Sequence, residues 1–327
     1  MNGVSIIVCC YNSSFRIRET LQHLFALIVP SHATVEIVLV DNNSQDNTQE
    51  EANRIYGEFT SPAISFRIVR EKNPGLTFAR SRGVTEARYD LILFCDDDNS
   101  LACDYLIYVW EIMSTHTEVA VVGGWCRPEL PFDPGRWIEP NYTALALEAE
   151  PRETGYTDWV FGAGMVVRKS LFQELDKLGI KFMLTGRRGA KQTSGDDAEI
   201  CRFAKLLKHK VYYDPRLILR HRISANRLTR WSFIKANYRN VYMVVYFYIL
   251  DEISRQPNLH AKVVYRSFVK GSFRNLAYYI PRMLMGRNNF FSFMMFFQNF
   301  QVLGQLVLKK YAFFETFNKV KHNLNGH

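Results

Sequence analysis

The sequence has no Cys-x-x-Cys pair. Its six cysteines, Cys9, Cys10, Cys95, Cys103, Cys126 and Cys201, are scattered. That pattern argues against a disulfide framework and against a thiolate zinc site. Several of the six lie in apolar stretches, where cysteine serves as a small buried hydrophobe, so a reducing compartment is expected. No uninterrupted apolar run reaches the roughly 18 residues a spanning helix needs. No basic segment precedes the first apolar strand, "VSIIVCCYN", so a secretory leader is not expected. Internal repeats and low-complexity linkers are missing too. Acidic residues nearly vanish after position 201. Residues 202–327 hold 22 Lys and Arg against 4 Asp and Glu, whereas residues 1–201 hold 19 against 28. A basic region of this kind suits nucleic acid, anionic lipid or a phosphorylated substrate. No nucleic-acid-binding motif accompanies it, so nucleic acid is not expected as a partner.

What is present is a chain of 327 residues, 47% hydrophobic, enough for one large domain and an extension. The first half alternates continuous apolar strands with helical segments. Strands are expected at "VSIIVCCYN", "VEIVLVDNNS", "SFRIVREKNPG" and "YDLILFCDDD", with helices at 15–28, 45–57 and 76–88 between them. Such alternation implies a mostly parallel sheet covered on both faces. Polar residues cluster just beyond the strand ends, where open α/β sheets bind ligands. Further on come a helix at 101–116, a strand "VAVVGG", an irregular stretch at 126–140, and a strand-to-helix segment "DWVFGAGMVVRKSLF". A Gly/Arg-rich loop at 185–195 leads into the helix "SGDDAEICRFAKLLKH". From about 223 the chain becomes basic, aromatic-rich and helical.

Five groups of residues carry possible chemistry. In "LILFCDDDNS", side chains two apart in an extended segment share a side, so Asp96 and Asp98 can converge on Mg2+ or Mn2+ while Asp97 turns away. A solvated helix cap accounts equally for "DDDNS". Asp41 and its neighbours in "LVDNNSQDNT" can hydrogen-bond a ribose or base edge, or simply form an Asx turn. In "NPGLTFARSRG", Arg80 or Arg82 can offer a guanidinium to a diphosphate; surface arginines are the plain alternative. Asp196 and Asp197 sit at a helix N-terminus, which keeps a carboxylate ionised and able to take a proton from a hydroxyl; helix-cap chemistry alone is the plain alternative. His221, after an apolar strand, can ligate a cation or contact phosphate, although a lone histidine is more often structural.

Taken in order, "VSIIVCCYN", "VDNNSQDNT", "NPGLTFARSRG", "LFCDDDN", "GAGMVVRK" and "SGDDAE" resemble the family 2 glycosyltransferases over about residues 1–230. The resemblance implies a GT-A-type α/β fold with a helical C-terminal extension. It implies a catalytic domain at 1–222, split into a nucleotide-sugar half (1–100) and an acceptor half (101–222), followed by a basic extension at 223–327. By matching positions, Cys9 and Tyr11 would line the base pocket, Asp41 and Asn43 would hold base and ribose, and Arg80 would contact the nucleotide phosphates. Asp96 and Asp98 match the Asp-x-Asp motif, with Asp98 and His221 at the Mn2+ or Mg2+ ion. Asp197 would be the catalytic base and Asp196 an acceptor contact, shorter than the family's usual Glu. The implied reaction is inverting transfer of a sugar from a nucleoside-diphosphate donor, UDP-linked for preference, to a hydroxyl of a glycan or lipid-linked acceptor. Cell-surface polysaccharide or glycoconjugate synthesis is the expected setting. A sugar-phosphate nucleotidyltransferase and a non-catalytic nucleotide-sugar or membrane-binding protein are the alternatives. The former would need a Gly-rich basic loop near the N-terminus, which "CCYNSSFR" lacks. The expected location is cytoplasmic, with peripheral membrane contact through the C-terminal region; a helical extension packed on the catalytic domain, or a homodimer interface, is the alternative.

Overall fold

A computed structural model describes residues 2–59, 63–184, 187–188, 191–192, 195–285 and 289–325. The elements run in order β1 (Gly3–Cys10), α1 (Ile17–Phe25), β2 (Thr34–Asp41), α2 (Thr48–Gly57), β3 (Ile64–Arg70), α3 (Leu76–Glu86) and β4 (Leu91–Asp96). Next come β5 (Asn99–Leu101), α4 (Tyr105–Thr115), β6 (Val119–Glu129), β7 (Gly155–Tyr156), β8 (Val166–Arg168) and α5 (Lys169–Lys177). A two-residue ladder, β9 (Arg187–Arg188) with β10 (Lys191–Gln192), precedes α6 (Asp196–Leu206) and β11 (Lys210–Arg222). Five helices complete the chain: α7 (Arg230–Arg239), α8 (Val241–Arg255), α9 (Ala261–Met285), α10 (Asn289–Leu308) and α11 (Lys310–Asn325). Most of the Gly/Arg-rich loop at 185–195 lies outside the described residues.

The main sheet runs β3-β2-β1-β4-β8-β6-β11-β5, with β7 paired to β11. Strands β3, β2, β1 and β4 are all parallel, as continuous apolar strands require. Beyond β4 the sheet is mixed, because β8 runs antiparallel to both β4 and β6. The chain moves outward from β1 to β3, then crosses back to place β4 on the other side of β1. That reversal opens a crevice at the carboxyl ends of β1 and β4.

Alternation along β1 splits its side chains between two cores. Val4, Ile6, Val8 and Cys10 join α1, α2 and α4, whereas Ile7 joins α3, α5 and α6. Gly83 lets α3 approach β1 closely, since a Cβ there would lie 2.3 Å from Ile7. Helix α6 has three acidic residues in its first turn and Lys205 in its last, matching its dipole.

Three expectations need correction. The segment expected to start a helix at 101 first makes β5, which pairs antiparallel with β11, and α4 begins at Tyr105. Residues 126–129, expected to be irregular, continue β6, because β11 supplies a paired edge there. The α10 segment, expected as a helix too interrupted by Ser, Gln, Asn and Gly to pass for a span, does pass that test. Phe290–Leu308 is long and apolar enough to cross a membrane by length and composition, and only 22% of it is buried.

The C-terminal helices share the main core. Val245, Tyr246, Ile249 and Leu250 of α8, Val302 and Leu306 of α10, and Phe313, Phe317 and Val320 of α11 are buried in the same cluster as α3, α5 and α6. Asn323 exchanges two hydrogen bonds with the Lys181 backbone, both 2.8 Å. A smaller cluster joins Ile138, Leu145 and Leu147 to Phe233 of α7 and Met294 of α10.

Candidate active site

The loops leaving β1 and β2 are stitched together at the sheet's carboxyl edge. Asn12 accepts from the Gln45 N–H (2.8 Å), its own N–H donates to Ser44 Oγ (3.0 Å), and Ser13 N–H donates to Thr48 Oγ1 (2.8 Å). Asp41 is 1% exposed and accepts from the Ser44 N–H at 3.0 Å and from Gln49. Asn43 follows with a left-handed φ of 64°, a conformation asparagine tolerates. Buried Asn42 clasps the "NPG" turn: it accepts from Gly75 N–H (2.7 Å) and donates to the Asn73 carbonyl (2.6 Å). Tyr11 leaves the edge of β1 half exposed, with its ring open to solvent.

The three aspartates part company. Residues 97–98 form a tight turn between β4 and β5, so the extended-chain alternation assumed for Asp96 and Asp98 does not hold. Asp97 turns inward, 7% exposed, and accepts from Arg16 (2.7 Å) and Ser13. Burial raises its pKa above the ordinary carboxylate value, and Arg16 pulls it partly back. Fully buried Asn99 shapes the turn, accepting from the Asp96 N–H (3.0 Å) and donating to Asp98 (3.1 Å). Asp96 lies 3.5 Å from Arg80. Asp98 instead lies 3.6 Å from His221 Nε2, and His221 Nδ1 is 3.5 Å from the Ala146 carbonyl. Strand β5 explains this meeting, because Asn99 pairs in register with His221 on β11. Asp96, Asp98 and His221 therefore do not form one three-ligand cluster. Among the described residues, no three His, Cys, Asp or Glu side chains are grouped to hold a metal ion by themselves.

Arg80 is the hub. It is 7% exposed, hydrogen-bonds Asp196 on α6, reaches Asp96 on β4, and stacks over the Phe94 ring at 5.2 Å. Burial alone would lower its pKa, but Asp196 and Asp96 hold it protonated above its ordinary value. Arg82 points elsewhere and pairs with Glu86 on the surface. Asp197 accepts from the Gly162 N–H (2.9 Å) and the Ala198 N–H (2.8 Å). Burial, then the neighbouring Asp196 charge, raises its pKa; Arg80 and the two N–H groups only partly offset this. The "GAG" of the sequence has a steric reason here. A Cβ at Gly162 would sit 3.0 Å from Asp197 and 3.1 Å from the Arg80 guanidinium.

Cys9 pairs in register with Asp96, and its thiol shares the Arg80 face with Asp96 and Asp196. Asp41 lies on the opposite face of the sheet, beside Cys10 in register. The structure thus separates Cys9 from Asp41. Burial pushes the Cys9 thiol up to about 12, so it is a neutral group at physiological pH.

Sequence reasoning gave no role to Arg16, Ser13, Asn42, Asn99, Gly162 or Glu199. Glu199 is fully buried one turn into α6, where Tyr246, Met183 N–H and Leu184 N–H donate to it. Burial outweighs these donors and raises its pKa from 4.5 to about 7. Because the folded state holds this proton more tightly, the group's stabilisation is complete below about pH 4.5 and is lost as pH rises through about 7. Glu199→Gln should therefore remove part of the fall in denaturation midpoint between pH 5 and pH 8. A wild-type-minus-variant difference that is flat with pH would contradict this.

Comparison with known proteins fits this geometry. Glucosyl-dolichyl phosphate glucuronosyltransferase of Haloferax volcanii is 20% identical over 282 residues, 84% of this chain and 86% of the relative. Poly-beta-1,6-N-acetyl-D-glucosamine synthase of Staphylococcus epidermidis is 27% identical over 124 residues, 38% of this chain and 28% of that protein. Among solved structures, the mannosyltransferase PcManGT of Pyrobaculum calidifontis, in complex with GDP-Man and Mn2+, superposes with a TM-score of 0.61 at 16% identity, covering 94% of this chain and 87% of that one. TarS of S. aureus with UDP-GlcNAc gives 0.53 at 12% identity, covering 94% and 92%. At these identities the likeness speaks to the fold, which is GT-A-type. The model for Glycosyl transferase family 2 matches residues 5–176, from within β1 to within α5, and so takes in Asp41, Arg80 and the aspartate turn. With more than half of its length inside that match, the chain belongs to glycosyl transferase family 2.

Proposed function

We propose that this glycosyltransferase moves a sugar, with inversion, from a nucleoside-diphosphate donor to a hydroxyl of a glycan or lipid-linked acceptor. The carrying observation is the cluster of Arg80, Asp96, Asp196 and Asp197 at the strand-end crevice. It sets a buried cation and a partly shielded carboxylate side by side. Residues 1–222 form the catalytic unit, with the donor in 1–100 and the acceptor in 101–222. Tyr11 stacks on the base, Asp41 and Asn43 hold base and ribose, and Cys9 contributes packing beneath the phosphates. Arg80 draws the diphosphate toward Asp96. Asp196 touches the acceptor, and Asp197 takes the proton from the attacking hydroxyl. One carboxylate base with a cationic leaving-group clamp suffices for a single displacement; a retaining hydrolase would need two carboxylates flanking the bond.

Asp98 and His221 fit a divalent cation as two donors 3.6 Å apart, one oxygen and one imidazole nitrogen, and phosphate oxygens would complete its coordination. With Nδ1–H directed to the Ala146 carbonyl, Nε2 keeps its lone pair on the Asp98 side. A bound Mn2+ or Mg2+ would supply positive charge to the departing diphosphate. UDP-linked donors are our first choice, and the Haloferax relative, named for a dolichyl phosphate substrate, supports a lipid-linked acceptor. The full-length enzyme, incubated with a panel of nucleotide sugars with and without Mn2+ or Mg2+, should consume one donor in a cation-dependent way. Consumption of none, under any cation, would sink the reading.

We further propose that the protein works at the cytoplasmic face of a membrane, resting on it through α9 and α10. Leu284 is 70% exposed and Leu308 84%, and Phe300, Val307 and Tyr311 are exposed as well. Residues 261–327 hold ten Lys and Arg and one acidic residue. That charge favours anionic lipid and opposes pairing of two copies through the same surface. Full-length protein should float with anionic vesicles, and the Leu284→Glu/Leu308→Glu variant should not. Equal recovery of both would remove the membrane contact.

A further inference from the structure

One buried polar junction lies behind the acid pair and takes no part in the chemistry above. Glu199 sits one turn along α6 from Asp196 and is 0% exposed. Its Oε1 accepts from the Met183 N–H (2.8 Å) and the Tyr246 hydroxyl (2.5 Å), and its Oε2 accepts from the Leu184 N–H (3.2 Å). The Leu184 carbonyl accepts in turn from Thr77 Oγ1 at 2.9 Å. Thr77 belongs to α3, the helix that carries Arg80. A single carboxylate therefore links α6 with its acids, α3 with its arginine, the 183–184 segment, and α8.

Neighbouring contacts reinforce the link to α8. Arg202 of α6 pairs with Asp251 at 2.8 Å and lies 4.0 Å over the Phe247 ring. Gly195, the cap of α6, presses so close to α8 that a Cβ would stand 2.5 Å from the Met243 sulfur. A buried carboxylate with three donors has little freedom to move, and neither do the groups bonded to it. The position of the α6 N-terminus is thus fixed from behind, by the C-terminal helices.

We propose that Glu199 and Tyr246 are positioning residues whose hydrogen bond sets the α6 N-terminus, and so Asp197, against Arg80 and the bound donor. The C-terminal helices are then part of the catalytic apparatus. This proposal rests on Asp197 being the base. Displacement of a general base by about 1 Å can cost on the order of a hundredfold in rate. On the same reading most donor contacts come from the loops at β1, β2 and β4, and the junction reaches the remaining one, Arg80, only indirectly through Thr77.

The test uses the full-length enzyme. Tyr246→Phe keeps the ring and removes only the hydroxyl. Glu199→Gln keeps the shape and removes the charge. Each is expected to lower kcat about ten- to hundredfold, with donor KM within about twofold. Glu199→Gln keeps an oxygen that can still accept from Tyr246 and sets an amide N–H against the Leu184 N–H, so it tests the carboxylate, whereas Tyr246→Phe tests the hydroxyl bond alone. The active fraction, titrated by nucleotide binding, should stay near that of the wild type. Unchanged kcat in Tyr246→Phe, alongside an inactive Asp197→Asn, overturns the positioning role and spares the base. A fall explained wholly by lost active fraction overturns it too, leaving the pair a matter of stability. Full turnover by Asp197→Asn removes the underlying reading and this proposal together.

Discussion

Asp197→Asn is expected to lower turnover by about 10²- to 10⁴-fold, the usual range for removing a general base. Donor binding should stay within about threefold, because the proposed donor contacts lie on the loops after β1, β2 and β4 rather than at Asp197. The substitution is gentle to the fold. An asparagine oxygen can still accept the Gly162 N–H bond, now 2.9 Å, and one of two adjacent carboxylate charges disappears. Single-turnover transfer, with nucleotide affinity measured by calorimetry, separates the two effects. The pH dependence carries a matching sign. Burial and Asp196 raise the Asp197 pKa above 3.8, so wild-type activity should fall at an acid limb lying above that value. The residual activity of Asp197→Asn should lack this limb.

Arg80→Met should have the second largest effect, and it should reach stability as well as activity. The side chain is 9% exposed, and its loss leaves Asp96, Asp196 and Asp197 together without their shared cation. Removing one partner of a buried ion pair costs about 3–5 kcal/mol, chiefly because the remaining charge is stranded. The carboxylates can escape by taking up protons, so the acid limb of any remaining activity should move to higher pH. Arg80→Met/Asp196→Asn should recover part of the lost stability, since it removes one stranded charge. Chemical denaturation of the two variants tests this. A double variant no more stable than Arg80→Met would mean that the charges do not interact.

The half of the site built from local sequence was legible in the order of residues alone. Apolar runs ending in Asn and Asp gave the strand-end loops, and the acidic first turn of α6 marked Asp196 and Asp197. The residues alone left Arg80 and Arg82 open and the resemblance pointed to Arg80; its ion pairs with Asp96 and Asp196 turn it inward, while Arg82 pairs with Glu86 on the surface. The resemblance already put His221 with Asp98; the physical cause, pairing of β11 with β5 more than a hundred residues earlier in the chain, is not visible in any local stretch. What escaped depended on distant pairing too. Asp97 finds Arg16 across a similar gap, and Glu199 finds Tyr246 on a helix of the extension. Even the local inference about Asp96 and Asp98 failed where its premise did, since alternation belongs to extended chain and residues 97–98 turn. The basic tail was visible in composition, and its packing on the preceding domain was one of the readings left open there; only the shared core decides that it packs.

The central claim is a single displacement driven by one base. It is tested most directly by proton NMR of the first product formed, read before any anomeric equilibration. The product should carry a glycosidic bond of configuration opposite to that of the donor's anomeric carbon. Retention of the donor configuration would contradict it.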